Sequence, residues 1–320
     1  NMFLGGVKKL NIKISEMLNN FILYETWGRK TGSETLEEYG WTNESMTKLL
    51  AEAYENAAKA IMDFNGTGLS ILSISHRTKD FEQVLNSAQE LMRELLAIPD
   101  NYSIYFVGGG ASTQFFHLPA NFLGTKAGYV NTGVWTKKAI KEAKLYGEVQ
   151  VVASSEDKNF SYIPKGFEIP ADLDYRYICT NNTIYGTEWQ YIPETNGVPI
   201  VCDMSSDICS RQVDISKYGV IFAGAQKNLA PAGLTIVIVK KELAGRELPF
   251  TPLMLNWKTE IDKDSMYNTP PCWCIYMLGL VCDWLEEQGG VPGMEKIKHQ
   301  KAQMLYDVID NSKIFTCPSQ

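Results

Sequence analysis

The stretch Ser103–Thr113 reads SIYFVGGGAST and decides the fold class. Its first part, Ser103–Val107, is a short run of apolar and aromatic residues, which predicts a buried strand. Three glycines follow as a turn, and Gln114–Leu123 then has the pattern of a helix. A strand, a tight turn and a helix in this order are typical of α/β proteins with a parallel sheet.

The same alternation continues along the chain. Short apolar runs rich in Val and Ile predict further strands at Gly128–Asn131, Glu148–Val152, Arg176–Thr180, Val198–Cys202, Gly219–Ala223 and Thr235–Val239. Apolar residues at helical spacing predict helices at Met46–Phe64, Lys137–Tyr146, Ile275–Glu287 and Met294–Asp310. We therefore expect an α/β fold whose central sheet is covered by helices on both faces.

The composition is that of a globular protein with a large core. Of the 320 residues, 45% are hydrophobic and 21% are charged, and 7 Trp, 16 Tyr and 13 Phe exclude an intrinsically disordered protein. The formal net charge of −7 argues against a nucleic acid or an anionic membrane as a partner, because no basic field offsets phosphate repulsion.

Cysteine usage and the uncharged segments bear on location. The seven cysteines are an odd number in a large chain, so we expect no disulfide scaffold and a reducing, cytoplasmic location. The nearest pair, Cys272 and Cys274, has no histidine or second pair at zinc-site spacing, so we expect no metal.

Two prolines interrupt the uncharged run Ser265–Cys282, which predicts a buried helix instead of a membrane span. Charged residues interrupt Asn1–Tyr24, so we expect no signal peptide.

Two features of the middle of the chain suggest a ligand site. The turn Gly108–Thr113 opens a helix whose free N–H groups could bind a phosphate, although a plain strand-to-helix turn has the same pattern. It is neither a dinucleotide fingerprint nor a nucleotide P-loop, because Thr113 stands at the third glycine position and no Gly-Lys-Ser/Thr follows. Asp203 comes directly after a predicted strand, where ligands of α/β sheets bind, and it could equally cap a helix.

Lys227 and Trp135 also follow predicted strands. Lys227 lies among small uncharged residues, where partial desolvation would favour the neutral amine that attacks a carbonyl. Trp135 is either a core aromatic residue or a flat partner for a ring. A phosphate-binding turn, a carboxylate and a buried lysine are together the groups that pyridoxal phosphate requires of its binding site.

Six motifs resemble, in order and spacing, those of the phosphoserine aminotransferase family. The resemblance runs from about Glu55 to Phe315 and rests on Gly109–Phe115, Asn131–Trp135, Asn181–Gly186, Asp203–Ser206, Tyr218–Asn228 and Met266–Pro271. It implies a fold-type I, pyridoxal-phosphate-dependent α/β transferase. Such a protein has a large domain, with a central, mostly parallel seven-stranded sheet flanked by helices, and a small α/β domain. The expected divisions are an N-terminal segment at 1–50, the cofactor-binding domain at 51–290 and the start of the small domain at 291–320.

The resemblance also implies roles for individual residues. Within one subunit, Ala111 and Ser112 are expected to bind the cofactor phosphate through backbone N–H groups, and Gln226 is expected beside them. Trp135 would stack on the ring, Thr183 would hydrogen-bond the ring hydroxyl, and Asp203 would pair with the ring nitrogen. Lys227 would bond covalently to the cofactor and carry the proton.

Four further residues are implied at the subunit interface and the substrate. Asn268 and Thr269 would reach the cofactor phosphate of a partner subunit, so that the active site needs a homodimer. His76 and Arg77 match the family's contact to the substrate phosphate, where a guanidinium binds phosphate oxygens in a forked geometry. On sequence alone, a histidine such as His76 is more often a hydrogen-bonded core residue.

Two features depart from the family. Residues 1–50 contain no Asn-Phe-x-Ala-Gly-Pro segment. The last arginine is Arg246, whereas the family continues beyond the equivalent of Phe315 and brings an arginine to the substrate carboxylate. We therefore expect either a fragment with an incomplete small domain, or a chain in which residues 1–50, with Arg29, supply that contact.

The functional hypothesis is amino transfer from glutamate to 3-phosphohydroxypyruvate, which gives phosphoserine and 2-oxoglutarate in alternating half-reactions. The first alternative is a homologue that binds the cofactor without turnover, which the missing arginine would favour. The second is a nucleotide-binding oxidoreductase, against which the glycine pattern counts.

Overall fold

The structure, a computed structural model, describes residues 43–319. The chain divides into two compact units, with the boundary between Ile71 and Leu72. In the described part of the first unit, helix α1 spans Asn43–Met62, which confirms the predicted helix, and the backbone N–H of Ile71 bonds to the carbonyl of Ala60. The predicted N-terminal segment at 1–50 lies mostly outside the described residues.

The second unit contains the sheet. Its strands, in chain order, are β1 (Tyr102–Gly108), β2 (Lys126–Asn131), β3 (Glu148–Ser154), β4 (Tyr175–Cys179), β5 (Asn181–Asn182), β6 (Thr187–Glu188), β7 (Ile200–Asp203), β8 (Val220–Gly224) and β9 (Leu234–Lys240). Among the described residues, seven strands form one sheet in the order β1-β9-β8-β7-β4-β2-β3, and β5 pairs with β6 as a separate hairpin. Strand β9 is antiparallel to both of its neighbours, and the other pairs of the seven-stranded sheet are parallel.

Helices cover both faces of this sheet. They are α2 (Lys79–Leu95), α3 (Ala111–Phe122), α4 (Val134–Ala143), α5 (Trp257–Asp262), α6 (Cys272–Glu287) and α7 (Gly290–Asp310). Side chains alternate along the strands, so that Ile104 and Phe106 of β1 pack on the face with α2 and α6, whereas Tyr105 and Val107 pack on the face with α3. The expectation of a two-sided α/β sheet is confirmed.

The predicted elements differ from the observed ones mainly at their ends. Helix α3 begins at Ala111, three residues earlier than predicted, because Gly110 completes the turn with a φ of 71°. Strand β7 begins after Pro199, which has no N–H for the ladder, and Asp203 is its last residue. Helix α2 has no counterpart in the sequence prediction, although its buried residues repeat at helical spacing: Phe81, Leu85, Ala88 and Met92. The β5–β6 hairpin and the short helix α5 were also not predicted.

The uncharged run that the sequence places in a buried helix forms α6. Its buried residues include Ile275, Leu278 and Cys282, which confirms the buried helix. In residues 43–319, no helix is both long enough and apolar enough to cross a bilayer.

The direction of the strands determines where polar loops gather. Because β1, β2, β4, β7 and β8 point the same way, their carboxyl ends share one edge of the sheet. Strand β9 runs in the opposite direction, so it begins at that edge, and residues 225–233 connect β8 to β9 there as a short hairpin connection.

A buried carboxyl group lies away from this edge, on helix α5. Glu260 is 3% exposed, and its Oε2 has no hydrogen-bond partner among the described residues. The hydroxyl of Tyr105 is likewise buried and unpartnered. Burial raises the pKa of Glu260 from 4.5 to about 7, and burial together with the charge of Glu260 raises the pKa of Tyr105.

We expect Glu260→Gln to stabilise the fold more at pH 8 than at pH 5. Below pH 4.5 the carboxyl is protonated in both the folded and the unfolded chain. Between pH 4.5 and about 7 the unfolded chain loses this proton first, so the wild-type free energy of unfolding falls as pH rises. Urea unfolding at both pH values measures the effect, and we expect an advantage of about 1–3 kcal/mol at pH 8. An equal difference at both pH values would contradict the assignment.

Candidate active site

A cavity of about 150 Å³ lies at the carboxyl edge of the sheet. Its lining comes from the ends of β1, β4, β7 and β8 and from the starts of α3 and α4. The lining residues are Gly110, Ala111, Ser112, Phe115, Trp135, Cys179, Asn181, Asp203, Ser205, Ser206, Gln226 and Lys227. Six of these are residues that the sequence predicts at a cofactor: Ala111, Ser112, Trp135, Asp203, Gln226 and Lys227.

The turn between β1 and α3 presents unpaired N–H groups to the cavity. Gly109 and Gly110 both have positive φ, at 102° and 71°, and a Cβ at Gly109 would lie 2.4 Å from Thr113 Cγ2. Gly110 is the N-cap and makes no side-chain cap, and within residues 43–319 the N–H groups of Ala111 and Ser112 have no backbone acceptor. No acidic side chain lies in the first turn of α3, so the helix start attracts an anion.

Trp135 lies at the start of α4, on a turn held from two sides. The hydroxyl of Thr136 accepts hydrogen bonds from the N–H groups of Thr132 and Gly133, at 3.1 and 3.0 Å. The side-chain amide of Asn182 donates to the carbonyl of Thr132. This close approach requires a glycine at 133, because a Cβ there would lie 2.3 Å from Asn182 Nδ2. Trp135 is half-buried, and among the described residues its Nε1 has no partner.

Asp203 is a buried carboxyl group at the end of β7. It is 4% exposed, and its Oδ1 accepts hydrogen bonds from the backbone N–H and the hydroxyl of Ser205, at 2.9 and 2.6 Å. The Tyr177 hydroxyl lies 3.5 Å from Oδ2, at the limit of hydrogen-bond distance. Burial raises the pKa of Asp203, whereas the Ser205 hydrogen bonds and the charge of Lys227 oppose that shift.

Lys227 lies in the connection between β8 and β9. It is half-buried, its Nζ lies 3.4 Å from the Thr183 hydroxyl, and it faces the same cavity as Asp203. The Asn228 side chain donates to the carbonyl of Ile208 at 2.9 Å, and the N–H of Ala225 bonds to the carbonyl of Leu234 at 2.9 Å. These bonds fix the backbone on both sides of the lysine.

The residues of this cavity fit pyridoxal phosphate. The unpaired N–H groups at the start of α3 suit its phosphate dianion. Asp203 Oδ2, whose contact with the Tyr177 hydroxyl is long at 3.5 Å, suits a protonated ring nitrogen. The Lys227 amine suits its aldehyde carbon. A flat apolar surface for the ring is available at Trp135.

Five predicted site residues lie outside the cavity lining. Thr183 is exposed and touches the site only through Lys227. Asn268 and Thr269 are exposed, just before α6. His76 and Arg77 lie in the loop before α2, where the buried Nε2 of His76 has no partner among the described residues and Arg77 is exposed.

Other cavity residues carry no assigned role in the sequence prediction. They are Gly110, Phe115, Cys179, Asn181, Ser205 and Ser206. For Ser205 a signal exists, since a serine two residues after an aspartate that ends a strand is typical of side-chain-to-backbone turns. Phe115 and Cys179 have the sequence context of ordinary core residues, so no sequence pattern identifies them as residues of a ligand site.

Comparison with known families places the chain among aminotransferases. A sequence profile described as aminotransferase class-V matches residues 42–320. Phosphoserine aminotransferase of Bacteroides thetaiotaomicron is 56% identical over 265 residues, which cover 82% of this chain and 74% of that protein. The enzyme of the same name from Bacillus cereus is 50% identical over 268 residues, with the same coverage.

Solved structures give the same result. The pyridoxal-phosphate-bound phosphoserine aminotransferase of Trichomonas vaginalis is 35% identical, with a TM-score of 0.80 over 84% of this chain and 77% of that one. Phosphoserine aminotransferase from Bacillus circulans subsp. alkalophilus is 43% identical, with a TM-score of 0.79 over 81% and 73%. The expected fold-type I architecture is therefore confirmed, and the chain belongs to the phosphoserine aminotransferase family of class-V aminotransferases.

Proposed function

We propose that this chain transfers the amino group of glutamate to 3-phosphohydroxypyruvate, which yields phosphoserine for serine biosynthesis and 2-oxoglutarate. The observation that carries the proposal is the shared cavity of Lys227, Asp203 and the start of α3. The identity of 56% to a curated phosphoserine aminotransferase supports it, as do the solved structures. None of the relatives that the comparisons name favours the alternative, a homologue that binds the cofactor without turnover.

The six predicted cofactor residues of the cavity each have a task in this proposal. Pyridoxal phosphate, when bound, withdraws electrons from the substrate Cα and so makes its proton acidic. Ala111 and Ser112 hold the phosphate through backbone N–H groups, with Gln226 beside them. Asp203 keeps the ring nitrogen protonated, because an ionised carboxylate next to a cation stabilises the charged form. Trp135 packs on the ring and excludes water from one face.

Lys227 performs the proton transfer. Its Nζ lies 3.4 Å from the Thr183 hydroxyl, and Lys227 lines the cavity, so this contact helps to orient the amine there. With the cofactor and substrate bound, this amine would accept the proton of the substrate Cα and carry it during amino transfer. Thr183 contributes a second hydrogen bond, to the ring hydroxyl.

The substrate and dimer contacts are further parts of the proposal. Asn268 and Thr269 are exposed and outside their own cavity, which suits residues that complete the site of a partner subunit. His76 and Arg77 supply donors for the phosphate of the substrate, and Arg77 is exposed as such a contact requires. We propose a homodimer for these reasons.

Location and domain limits follow the same reasoning. All seven cysteines are free, which suits the reducing cytoplasm that we propose as the location. The divisions at 50 and 290 stay predictions, and so does a contact of residues 1–50 with the substrate carboxylate.

We expect Lys227→Ala to abolish phosphoserine formation. Loss of the amine removes both the covalent anchor and the proton carrier, which should lower the rate by about 10³-fold or more. The measurement is phosphoserine formation from glutamate and 3-phosphohydroxypyruvate, together with the visible spectrum of the protein with pyridoxal phosphate before and after glutamate. Lys217→Ala, at an exposed lysine outside the cavity, is the control and should behave as wild type. Wild-type protein that binds the cofactor and ignores glutamate would refute the proposed function.

We expect two inactive variants to restore activity when they are mixed. One variant is Lys227→Ala, and the other is the double variant Asn268→Ala/Thr269→Ala. In a mixed dimer, the active site of the double-variant subunit keeps its own Lys227 and receives intact Asn268 and Thr269 from the Lys227→Ala subunit. Unfolding and refolding the two chains together at equal amounts should recover about a quarter of wild-type activity. Mixed dimers that form and remain inactive would show that Asn268 and Thr269 act within their own subunit.

A further inference from the structure

We propose that Ser205 is a positioning residue of the active site, which fixes Asp203 Oδ1 with two hydrogen bonds and leaves Oδ2 to the protonated ring nitrogen of the cofactor. The inference deepens the proposed function and rests on it. Ser205 carries no role in the sequence prediction, and it lines the cavity beside the aspartate.

The geometry around Asp203 is asymmetric. Oδ1 accepts from the Ser205 backbone N–H at 2.9 Å and from the Ser205 hydroxyl at 2.6 Å. Within residues 43–319, the hydrogen-bond partner of Oδ2 is the Tyr177 hydroxyl alone, 3.5 Å away. Two short bonds to one oxygen of a carboxylate restrict the rotation of the whole group, so the second oxygen is held in a constant direction.

The direction of the Ser205 proton is also set. The Gly224 N–H donates to the Ser205 hydroxyl oxygen at 3.0 Å. A hydroxyl has a single proton, and an ionised carboxylate can only accept, so the Ser205 proton must point to Asp203. Gly224 ends β8, three residues before Lys227. One hydroxyl thus ties the carboxylate at the end of β7 to the connection that carries the lysine.

Outside the cavity, the chain contains a second aspartate that accepts two hydrogen bonds from the serine two residues later. Comparing the two aspartates separates the effect of burial on the carboxyl pKa from the effect of the hydrogen bonds. Asp214 Oδ1 accepts from the backbone N–H and the hydroxyl of Ser216, at 3.0 and 2.5 Å. Both residues are exposed, and the Ser216 hydroxyl bond lowers the pKa of Asp214. At Asp203 the burial effect is larger than that of the hydrogen bonds, and the pKa rises. The Ser205 bonds therefore counteract a desolvation penalty that Asp214 does not have.

If Ser205 positions Asp203, replacing Ser205 should weaken cofactor binding only when the cofactor has a ring nitrogen. Without the Ser205 hydroxyl, the buried Asp203 gains affinity for a proton and pairs less strongly with a protonated ring. A cofactor analogue in which C–H replaces the ring nitrogen has no such proton, and Asp203 then has no cation to hold. Ser205→Ala should therefore weaken pyridoxal phosphate and leave the binding of the analogue unchanged.

The experiment measures the dissociation constants of pyridoxal phosphate and of its 1-deaza analogue by equilibrium dialysis. The proteins are wild type, Ser205→Ala, Ser205→Thr and Ser216→Ala, each prepared free of cofactor. We expect Ser205→Ala to bind pyridoxal phosphate about 10-fold more weakly and to slow the glutamate half-reaction by a similar factor. Ser205→Thr keeps the hydroxyl and should stay within about 3-fold of wild type. The control Ser216→Ala removes the hydroxyl that bonds to the exposed Asp214 and should change neither constant.

The outcomes are distinct. Equal weakening of both cofactors in Ser205→Ala would show a merely structural role and overturn the inference, and so would an unchanged constant for pyridoxal phosphate. If Ser205→Ala does not fold, Ser205→Cys, which has a similar volume and a weak donor, is measured against the same two cofactors. Wild-type protein that fails to respond to glutamate would refute the proposed function, which is a separate result from any difference among the serine variants.

Discussion

A charged carboxyl group in a buried position is the constraint on which the active site depends. Asp203 can stay ionised at 4% exposure only if donors and a cation surround it. Ser205 and Lys227 supply these within the chain, and in the proposed function the cofactor ring supplies a further cation. Asp203, Ser205 and Lys227 therefore form one electrostatic arrangement. The sheet brings them together at its carboxyl edge.

The sequence was sufficient to predict the sheet and the centre of the site because both depend on local patterns. Asp203 and Lys227 each follow a Val- or Ile-rich run, and a parallel sheet necessarily brings such positions to one edge. Helix α2 was missed although its apolar spacing is regular, and its polar residues, from Asp80 to Arg93, obscure the apolar face. The bonds of Ser205 and Asn182 depend on distances between segments, which no local pattern encodes.

The roles of the outlying residues came from the family resemblance alone. Asn268, Thr269, His76 and Arg77 have no common periodicity, and one subunit does not bring them to its own cavity. The proposed role of Asn268 and Thr269 requires a second subunit, because the two partners of such a contact would belong to different chains. The proposed role of His76 and Arg77 requires a bound substrate, and a local sequence pattern indicates neither.

The reversal of β9 has a consequence for how the active site can vary. In most α/β sheets a crossover helix connects strands, and its loops tolerate insertions. Here residues 225–233 join two hydrogen-bonded neighbours, with Gly224 paired to Thr235 at the junction. Lys227 thus lies on a hairpin connection whose two ends are held by the pairing of neighbouring strands. Changes of length are therefore accommodated more easily in the loops after β2 and β4 than in residues 225–233, where strand pairing holds both ends of the segment that bears Lys227.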